Sequence, residues 1–309
     1  MDYKYLLMVA LMLIMLLLTA CMILLLLYIK RRTKCSNYEK ALLEKLNKKT
    51  DFFANMNHEL KTPLSVILGA IQLMEMKKSE QPEEDNSFSK NMRIIKYNCY
   101  RLLRLTNNLL DLTKAEAGYL KLKPVKCDLK LLLEEIIQSV MPYAVQSQLN
   151  LHYNRPSEAI YAAVDIEKME RILLNLLSNA IKFTKPGGSI TVSTYTVEDR
   201  VFIAVKDSGA GIPAKNQEEV FSRFKQVENH HSVENKGSGI GLSLVKSFVS
   251  LHQGDIKIIS EQGQGCEFII ELPIRQVNDE LAEFGIIDYN TQIAEAAKIE
   301  FSILHYIVS

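Results

Sequence analysis

The chain has 309 residues, enough for about two domains with cores of their own. Lys and Arg total 37 against 36 Asp and Glu, so no excess of positive charge marks a general nucleic-acid binder, and no nucleic acid is expected as a partner. Cys21, Cys35, Cys99, Cys127 and Cys266 form no CxxC pair, no His/Cys metal spacing and no evident disulfide framework, which points to reduced thiols in a cytosolic body.

Tyr5–Ile29 is apolar apart from Thr19, about 25 residues or ~37 Å of helix, enough to cross a bilayer. Lys30, Arg31, Arg32 and Lys34 come next, which places that end on the cytoplasmic side. The expectation is a transmembrane helix over 5–29, single-pass at the cell membrane, with the body of the chain in the cytoplasm. Leu18-Thr19-Ala20-Cys21 resembles a lipoprotein cleavage box, but Met22–Ile29 stay apolar beyond it, where a mature lipoprotein turns polar. Only Met1–Lys4 precede the span, so a stimulus is expected in or under the membrane. It would act through the span, through a membrane sensor partner, or through a soluble protein touching the helices at 50–118. Residues 30–49 read as a charged juxtamembrane helical linker, with Tyr38, Leu42 and Leu46 four apart.

Phe52–Met74 is the best-patterned helix. Phe53, Met56, Leu60, Leu64, Ile67, Ile71 and Met74 step by three or four residues, an apolar seam for bundle packing. His58 lies off that seam. Thr62, Ser65 and Gly69 lie beyond it on the same side, so a strip of small or polar residues leaves room for another molecule beside the imidazole. Glu59 adjoins the histidine as a proton acceptor or orienting group. Pro63 lacks the N–H that would bond the Glu59 carbonyl, which predicts a bend one turn below His58. A zinc-protease reading of His58-Glu59 fails because the second histidine it needs is replaced by Thr62. A lone histidine on a helix is ordinarily just surface, and the remainder of the chain is what lifts His58 above that.

KKSEQPEEDNS reads as a turn with Pro82, Asp85, Asn86 and Ser87 as breakers. A second helix comes after it: Phe88, Met92, Ile95, Cys99, Leu102, Leu109 and the neighbouring Leu103 and Leu110 repeat the bundle spacing up to Ala117, with Gly118 as the stop. The two helices make a hairpin over 50–118 that cannot cover its own apolar stripe, so a homodimer forming a four-helix bundle is expected.

From Tyr119 strands and helices alternate. Extended segments are expected at 121–129, Leu149–Tyr153, Ala159–Val164, Ser189–Thr196, Val201–Asp207, Asp255–Ser260 and Glu267–Leu272. Helices are expected at Lys130–Ala144, Asp165–Phe183 and Ile240–His252, giving an α/β sandwich over 119–275.

Three segments of this domain suit a nucleotide. Asn175 and Asn179 share one helix face with Lys182 a turn further on; amide oxygens suit a Mg²⁺ otherwise held by phosphates, and the lysine meets phosphate charge. Asp207-Ser208-Gly209-Ala210-Gly211-Ile212 ends a strand with a carboxylate able to accept from an adenine amino group, then glycines that permit close approach. Gly237-Ser238-Gly239-Ile240-Gly241-Leu242 opens a helix whose N–H groups favour phosphate. A dinucleotide fingerprint would come after the first strand of its domain, and this one comes late.

His58-Glu59-Leu60-Lys61-Thr62-Pro63, Asn175–Thr184, the Asp207 segment, Phe221-Ser222-Arg223-Phe224 and the Gly237 segment together resemble, in order, the H, N, G1, F and G2 boxes of membrane sensor histidine kinases. The resemblance covers about Asn47–Ile274. It implies a phosphoacceptor hairpin and then a Bergerat-fold ATP-binding domain, with ATP and Mg²⁺ as cofactors and Pro213–Lys236 as the lid. It further implies that His58 is autophosphorylated and that the group passes to an aspartate of a cognate response regulator, with Thr62 serving removal of phosphate from that regulator. The overall fold expected is one N-terminal transmembrane helix, an all-α hairpin in a dimeric four-helix bundle, and a C-terminal α/β sandwich.

Arg171, Ile240 and Cys266 depart from the usual Gln, Leu and Thr; the last puts a hydroxyl hydrogen bond near the site in doubt. Gyrase, Hsp90 and mismatch-repair ATPases share the fold, but they carry a water-activating Glu where this chain has Asn175. A pseudokinase scaffold is the non-enzyme alternative, and the filled ligand positions argue against it. In the tail, 276–309, Ile293, Ala297, Phe301 and Leu304 suit one helical face, or the tail is loosely ordered; sequence leaves both open.

Overall fold

The computed structural model describes residues 12, 15–19, 21–28, 30–32, 56–57, 59–74, 85–223, 239–274 and 290–301. The chain divides into two compact units, Met1–Asn57 and His58–Ser309.

In the first unit residues 15–19 and 21–28 are helical. A hydrocarbon core of ~30 Å takes about 20 residues of helix to cross. Among the described residues no helix is long and apolar enough to cross a membrane. The transmembrane helix expected over 5–29 is therefore corrected. With it go the single-pass cell-membrane location with a cytoplasmic body, the membrane as a partner, and the membrane sensor partner. The expectation rested on apolar composition, and a span requires in addition a helix of about 20 residues, which the described residues do not supply. The linker expected over 30–49 lies outside the described residues except for 30–32, which are helical.

The second unit opens with helix α1, residues 59–74, which runs helical through a buried Pro63. Thr62 and Ser65 are exposed and a side chain added at Gly69 would meet nothing within 4 Å, so the small-residue strip is open. Helix α2, Asp85–Glu116, begins three residues before the expected start: Asp85, Asn86 and Ser87, read as breakers, form its first turn, where short polar residues are favoured. Its stop is as expected. Gly118 takes φ +70, and Tyr119 N–H reaches back to the Lys114 carbonyl at 2.9 Å. Within one chain, α2 buries Asn91, Asn98, Leu105, Asn108, Asp111 and Leu112, while Phe88, Met92, Leu103 and Leu110 of the apolar stripe stay exposed.

Strand β1, Val125–Asp128, pairs antiparallel with β3, Tyr161–Val164, and each leads into a helix capped by aspartate. Asp128 accepts from Lys130 N–H at 2.9 Å to start α3, Leu129–Gln146. Asp165 accepts from Lys168 N–H at 3.1 Å to start α4, Ile166–Phe183. The main sheet has the order β2-β4-β5-β7-β6, made of Asn150–Asn154, Ser189–Val197, Arg200–Asp207, Gly265–Pro273 and Asp255–Glu261. Only β2–β4 is parallel.

Register fixes what faces the helices. Val192, Val205 and Phe268 stand in one row, as do Thr194, Ile203 and Ile270, and all are buried. Against them lie α3, α4 and α6, Gly241–Leu251, through residues such as Ile136, Leu173, Leu177 and Phe248. The opposite face is polar at its edge, where Glu271 pairs with Arg200 at 2.8 Å and Lys257 at 3.3 Å. Between β5 and α6 come a one-turn helix α5, Ala214–Gln217, and a 3-10 turn, Glu219–Phe221.

The tail is ordered where it is described. Helix α7, Asn290–Glu300, packs against α2, α3 and α4 and buries Ile293, Ala297 and Phe301, the first of the two alternatives left open for the tail; Leu304 lies outside the described residues.

Candidate functional site

Helix α4 is pinned at its start. Asp165 Oδ2 accepts from Lys123 N–H at 2.8 Å, and its own N–H donates to His252 Nε2 at 3.1 Å. The second contact makes Nδ1 of His252 the donor to the Phe248 carbonyl, 2.8 Å away, so this histidine is a satisfied core group. Sequence reasoning gave it no role, and its signal was only a position at the end of an apolar helix.

From that anchor the polar face of α4 projects Asn175, Asn179 and Lys182. Asn175 is buried at 6% exposure, and Asn179 and Lys182 are half-buried. Two glycine-bearing loops close on this helix. Gly241, first residue of α6, comes so near that a Cβ there would sit 2.0 Å from Asn175 Oδ1. Gly209 comes so near the other end that a Cβ would sit 2.5 Å from the Phe183 carbonyl oxygen, which also accepts from Ala210 N–H at 3.2 Å. The three segments singled out in the sequence therefore meet around one helix. Gly239, at φ +66, enters α6 in the left-handed region, and Gly237 lies outside the described residues.

Asp207 ends β5 on the helix-facing side of the sheet, 8% exposed, opposite Ile190 and Cys266. Burial raises its carboxyl above the ordinary range, and the N–H groups of Gly209, at 2.8 Å, and of Cys266 pull it partly back. The Cys266 thiol is pushed up to about 12 by burial and by Asp207, so it stays protonated and offers only a weak donor where a hydroxyl is usual. Gly211, at φ +65, lies so close to the turn after β6 that a Cβ would be 1.9 Å from the Glu261 carbonyl oxygen. Ser260 Oγ accepts from Ile212 N–H at 2.8 Å, and Gln217 Nε2 donates to the Ser260 carbonyl at 2.7 Å. These ties on the loop beyond Asp207 were not legible in sequence, because a serine and a glutamine carry no motif.

Lys182 is drawn down to about 8, first by burial and then by Arg104 and Arg101 of α2. Arg101 in turn pairs with Glu59 of α1 at 3.4 Å. The first turn of α1, which carries Glu59, and the end of α4 are thus linked through the cations of α2. A polyanion placed there would relieve their mutual repulsion, so the donor set fits a Mg-bound triphosphate: two amides, a desolvated lysine, and glycine loops. Among the described residues no group of three or more His, Cys, Asp and Glu gathers to hold a metal ion. His58 lies outside the described residues; Glu59 is half-buried and Thr62 exposed beside it in sequence.

A mixed sheet covered on one face by helices, with an amide-bearing helix closed on by two glycine loops, defines the class of two-layer ATP-binding domains. Residues 164–276 match the family described as histidine kinase-, DNA gyrase B- and HSP90-like ATPases, and residues 48–118 match the His Kinase A phospho-acceptor domain. A domain of this fold generally binds ATP with Mg²⁺. The chain is 40% identical over 229 residues to the sensor histidine kinase TmoS of Ectopseudomonas mendocina, covering 74% of this chain and 23% of that one. It is 35% identical over 254 residues to the hybrid signal transduction histidine kinase D of Dictyostelium discoideum, covering 79% and 16%. In fold it resembles the histidine kinase ThkA in complex with response regulator protein TrrA, with a TM-score of 0.57, 22% identity, and 75% and 64% of the two chains covered. This chain belongs to the histidine kinase family. It spans about a quarter or less of these two curated relatives' length.

Proposed function

We propose that this chain transfers the γ-phosphoryl group of Mg·ATP to a ring nitrogen of His58 and then to an aspartate of a response regulator. In the first step the bond from γ-phosphorus to the bridging oxygen breaks, a P–N bond forms, ADP leaves, and the imidazole proton passes to Glu59. The second step exchanges that P–N bond for an acyl phosphate on the regulator. The observation that carries this is the meeting of Asn175 with Gly241, and of the end of α4 with Gly209, around one helix.

In this reading Asp207 accepts from the adenine amino group, and Gly209 and Gly211 let the base approach. Lys182 and the N–H groups after Gly237, Gly239 and Gly241 meet the phosphates. Asn175 and Asn179 would hold Mg²⁺, which would offset the charge of the phosphates. An amide at 175 cannot take a proton from water, so ATP is kept for His58 rather than hydrolysed. The domain limits proposed are 50–118 for the hairpin and 119–275 for the ATP-binding domain. The exposed Leu64, Ile71, Met92, Leu103 and Leu110 on α1 and α2 support covering by a second copy in a four-helix bundle. A response regulator is the partner that ThkA's complex with TrrA suggests by likeness of fold.

The test is incubation of the full chain with γ-labelled ATP. An acid-labile, base-stable label that disappears in His58→Ala, with ATP binding retained, is expected. A label that is acid-stable, or that persists in the variant, overturns the assignment.

A further inference from the structure

Four charged side chains from segments far apart in sequence meet at the junction of α2, α4 and α7. Arg104 and Asp111 lie two turns apart on α2, Arg171 lies on α4, and Glu300 ends α7. Asp111 pairs with Arg171 and Glu300 pairs with Arg104. Arg104 Nη1 also donates to the Glu300 carbonyl at 3.3 Å, and Arg171 Nη2 to Asn108 Oδ1 at 2.8 Å. Asn108, Asp111 and Glu300 are only 3%, 6% and 8% exposed. The Arg171 guanidinium lies 5.5 Å from the centre of the Phe248 ring, which extends the cluster to α6, the helix opened by Gly241.

Beside the charges, α7 buries Ile293, Ala297 and Phe301 almost completely, and Phe301 stacks on Tyr143 of α3 with ring centres 4.8 Å apart. The tail thus touches both the hairpin, through Arg104, and the ATP-binding domain, through α3 and α4. Charges this deeply buried are tolerated only while each keeps its partner, so the cluster holds together or opens as a whole. One buried donor, Asn108 Nδ2, has no partner among the described residues, which leaves the closed arrangement imperfectly satisfied and open to displacement.

We propose that α7 is an intramolecular brace that fastens the ATP-binding domain to helix α2, and that releasing it precedes phosphoryl transfer. This rests on the kinase reading, since that reading requires His58 to face ATP first and a regulator's aspartate afterwards. An ATP-binding domain held on the hairpin by a buried latch is retarded in both movements. A helix that merely completed the core would behave oppositely, because its removal would lower both stability and activity.

The experiment compares the full chain with Glu300→Arg, with Ala297→Glu, and with Arg104→Glu combined with Glu300→Arg. Amide hydrogen exchange and the initial rate of autophosphorylation are measured on each. Both single variants should speed exchange over 293–300 and over 104–111 by at least about tenfold, a threshold set below the roughly 100-fold or more that breaking a fully buried ion pair corresponds to. The same variants should raise the autophosphorylation rate about threefold or more. The charge-swapped double variant should return the exchange toward the parent, while its labelling rate also carries the loss of a cation beside Lys182. Unchanged exchange in both single variants overturns the brace, and so does faster exchange with an unchanged or reduced rate. A parent chain that takes no label at all would sink the kinase reading instead, and the exchange arm alone would then report on the contact.

Discussion

Gly241→Ala tests the geometry at the centre of the site. A methyl group there would stand 2.0 Å from Asn175 Oδ1, well inside any real contact, while the surrounding backbone keeps its distance. The atom in the way is the end of a side chain, so the fold can yield: Asn175 rotates off, and the stability cost stays near the low end for an added methyl group, about 1 kcal/mol. Function cannot yield so cheaply. In the proposed site, rotating Asn175 would remove one amide from the metal and phosphate face, and a hydrogen bond to a charged group is worth about 1.5–3 kcal/mol, which corresponds to roughly 10- to 150-fold in affinity. Calorimetric titration with Mg·ATP should therefore show a Kd weakened by about one to two decades with a melting temperature near the parent's. Gly69→Ala, where the added methyl meets nothing within 4 Å, is the control and should bind as the parent does. If a folded Gly241→Ala protein binds Mg·ATP as tightly as the parent, the pairing of α6 with Asn175 is not part of the nucleotide site.

Asp207→Asn should weaken Mg·ATP binding yet leave the nucleotide-free protein at least as stable near pH 7. The folded carboxyl is raised above its unfolded value, so Asp207 favours the fold only when protonated, and that contribution is lost as pH rises through the raised value; thermal melts from pH 4 to 8 that show a less stable variant at neutral pH would refute this. ATP affinity should fall as pH passes the Lys182 value of about 8, because the ammonium proposed to meet phosphate is lost there, and Lys182→Gln should flatten that profile between pH 7 and 9. Thr62→Ala should keep autophosphorylation and lose removal of phosphate from the regulator, measured as label release in a reconstituted pair. Equal loss of both activities would point to damage of α1 beside Pro63.

Elements of the ATP-binding domain were legible because local signals agree there: Asp128 and Asp165 cap helices where apolar periodicity begins, and β4 alternates cleanly over Ser189–Thr194. The hairpin was legible as helix but less so as packing. Its apolar stripe stays exposed within one chain, and the buried side of α2 carries Asn91, Asn98 and Asn108, which pattern reading assigns to solvent. Asp85–Ser87 show the other weakness, since the residues that break helices also begin them. The apolar start of the chain suggested a membrane span that the described helices do not supply. The charge cluster at Arg171 was visible only as an unusual residue, because its partners come from α2 and α7, more than 50 residues away in either direction, and no local rule joins them.

The central claim is that phosphate passes from ATP to His58, and mapping the site reads it directly. The full chain is incubated with Mg·ATP, digested at alkaline pH, and its phosphopeptides are sequenced by mass spectrometry under conditions that preserve P–N bonds. Phosphate is expected on the peptide containing His58 and on none containing the other five histidines. Phosphate on His152, His230, His231, His252 or His305 instead, or none on any histidine while ATP is consumed, would contradict it.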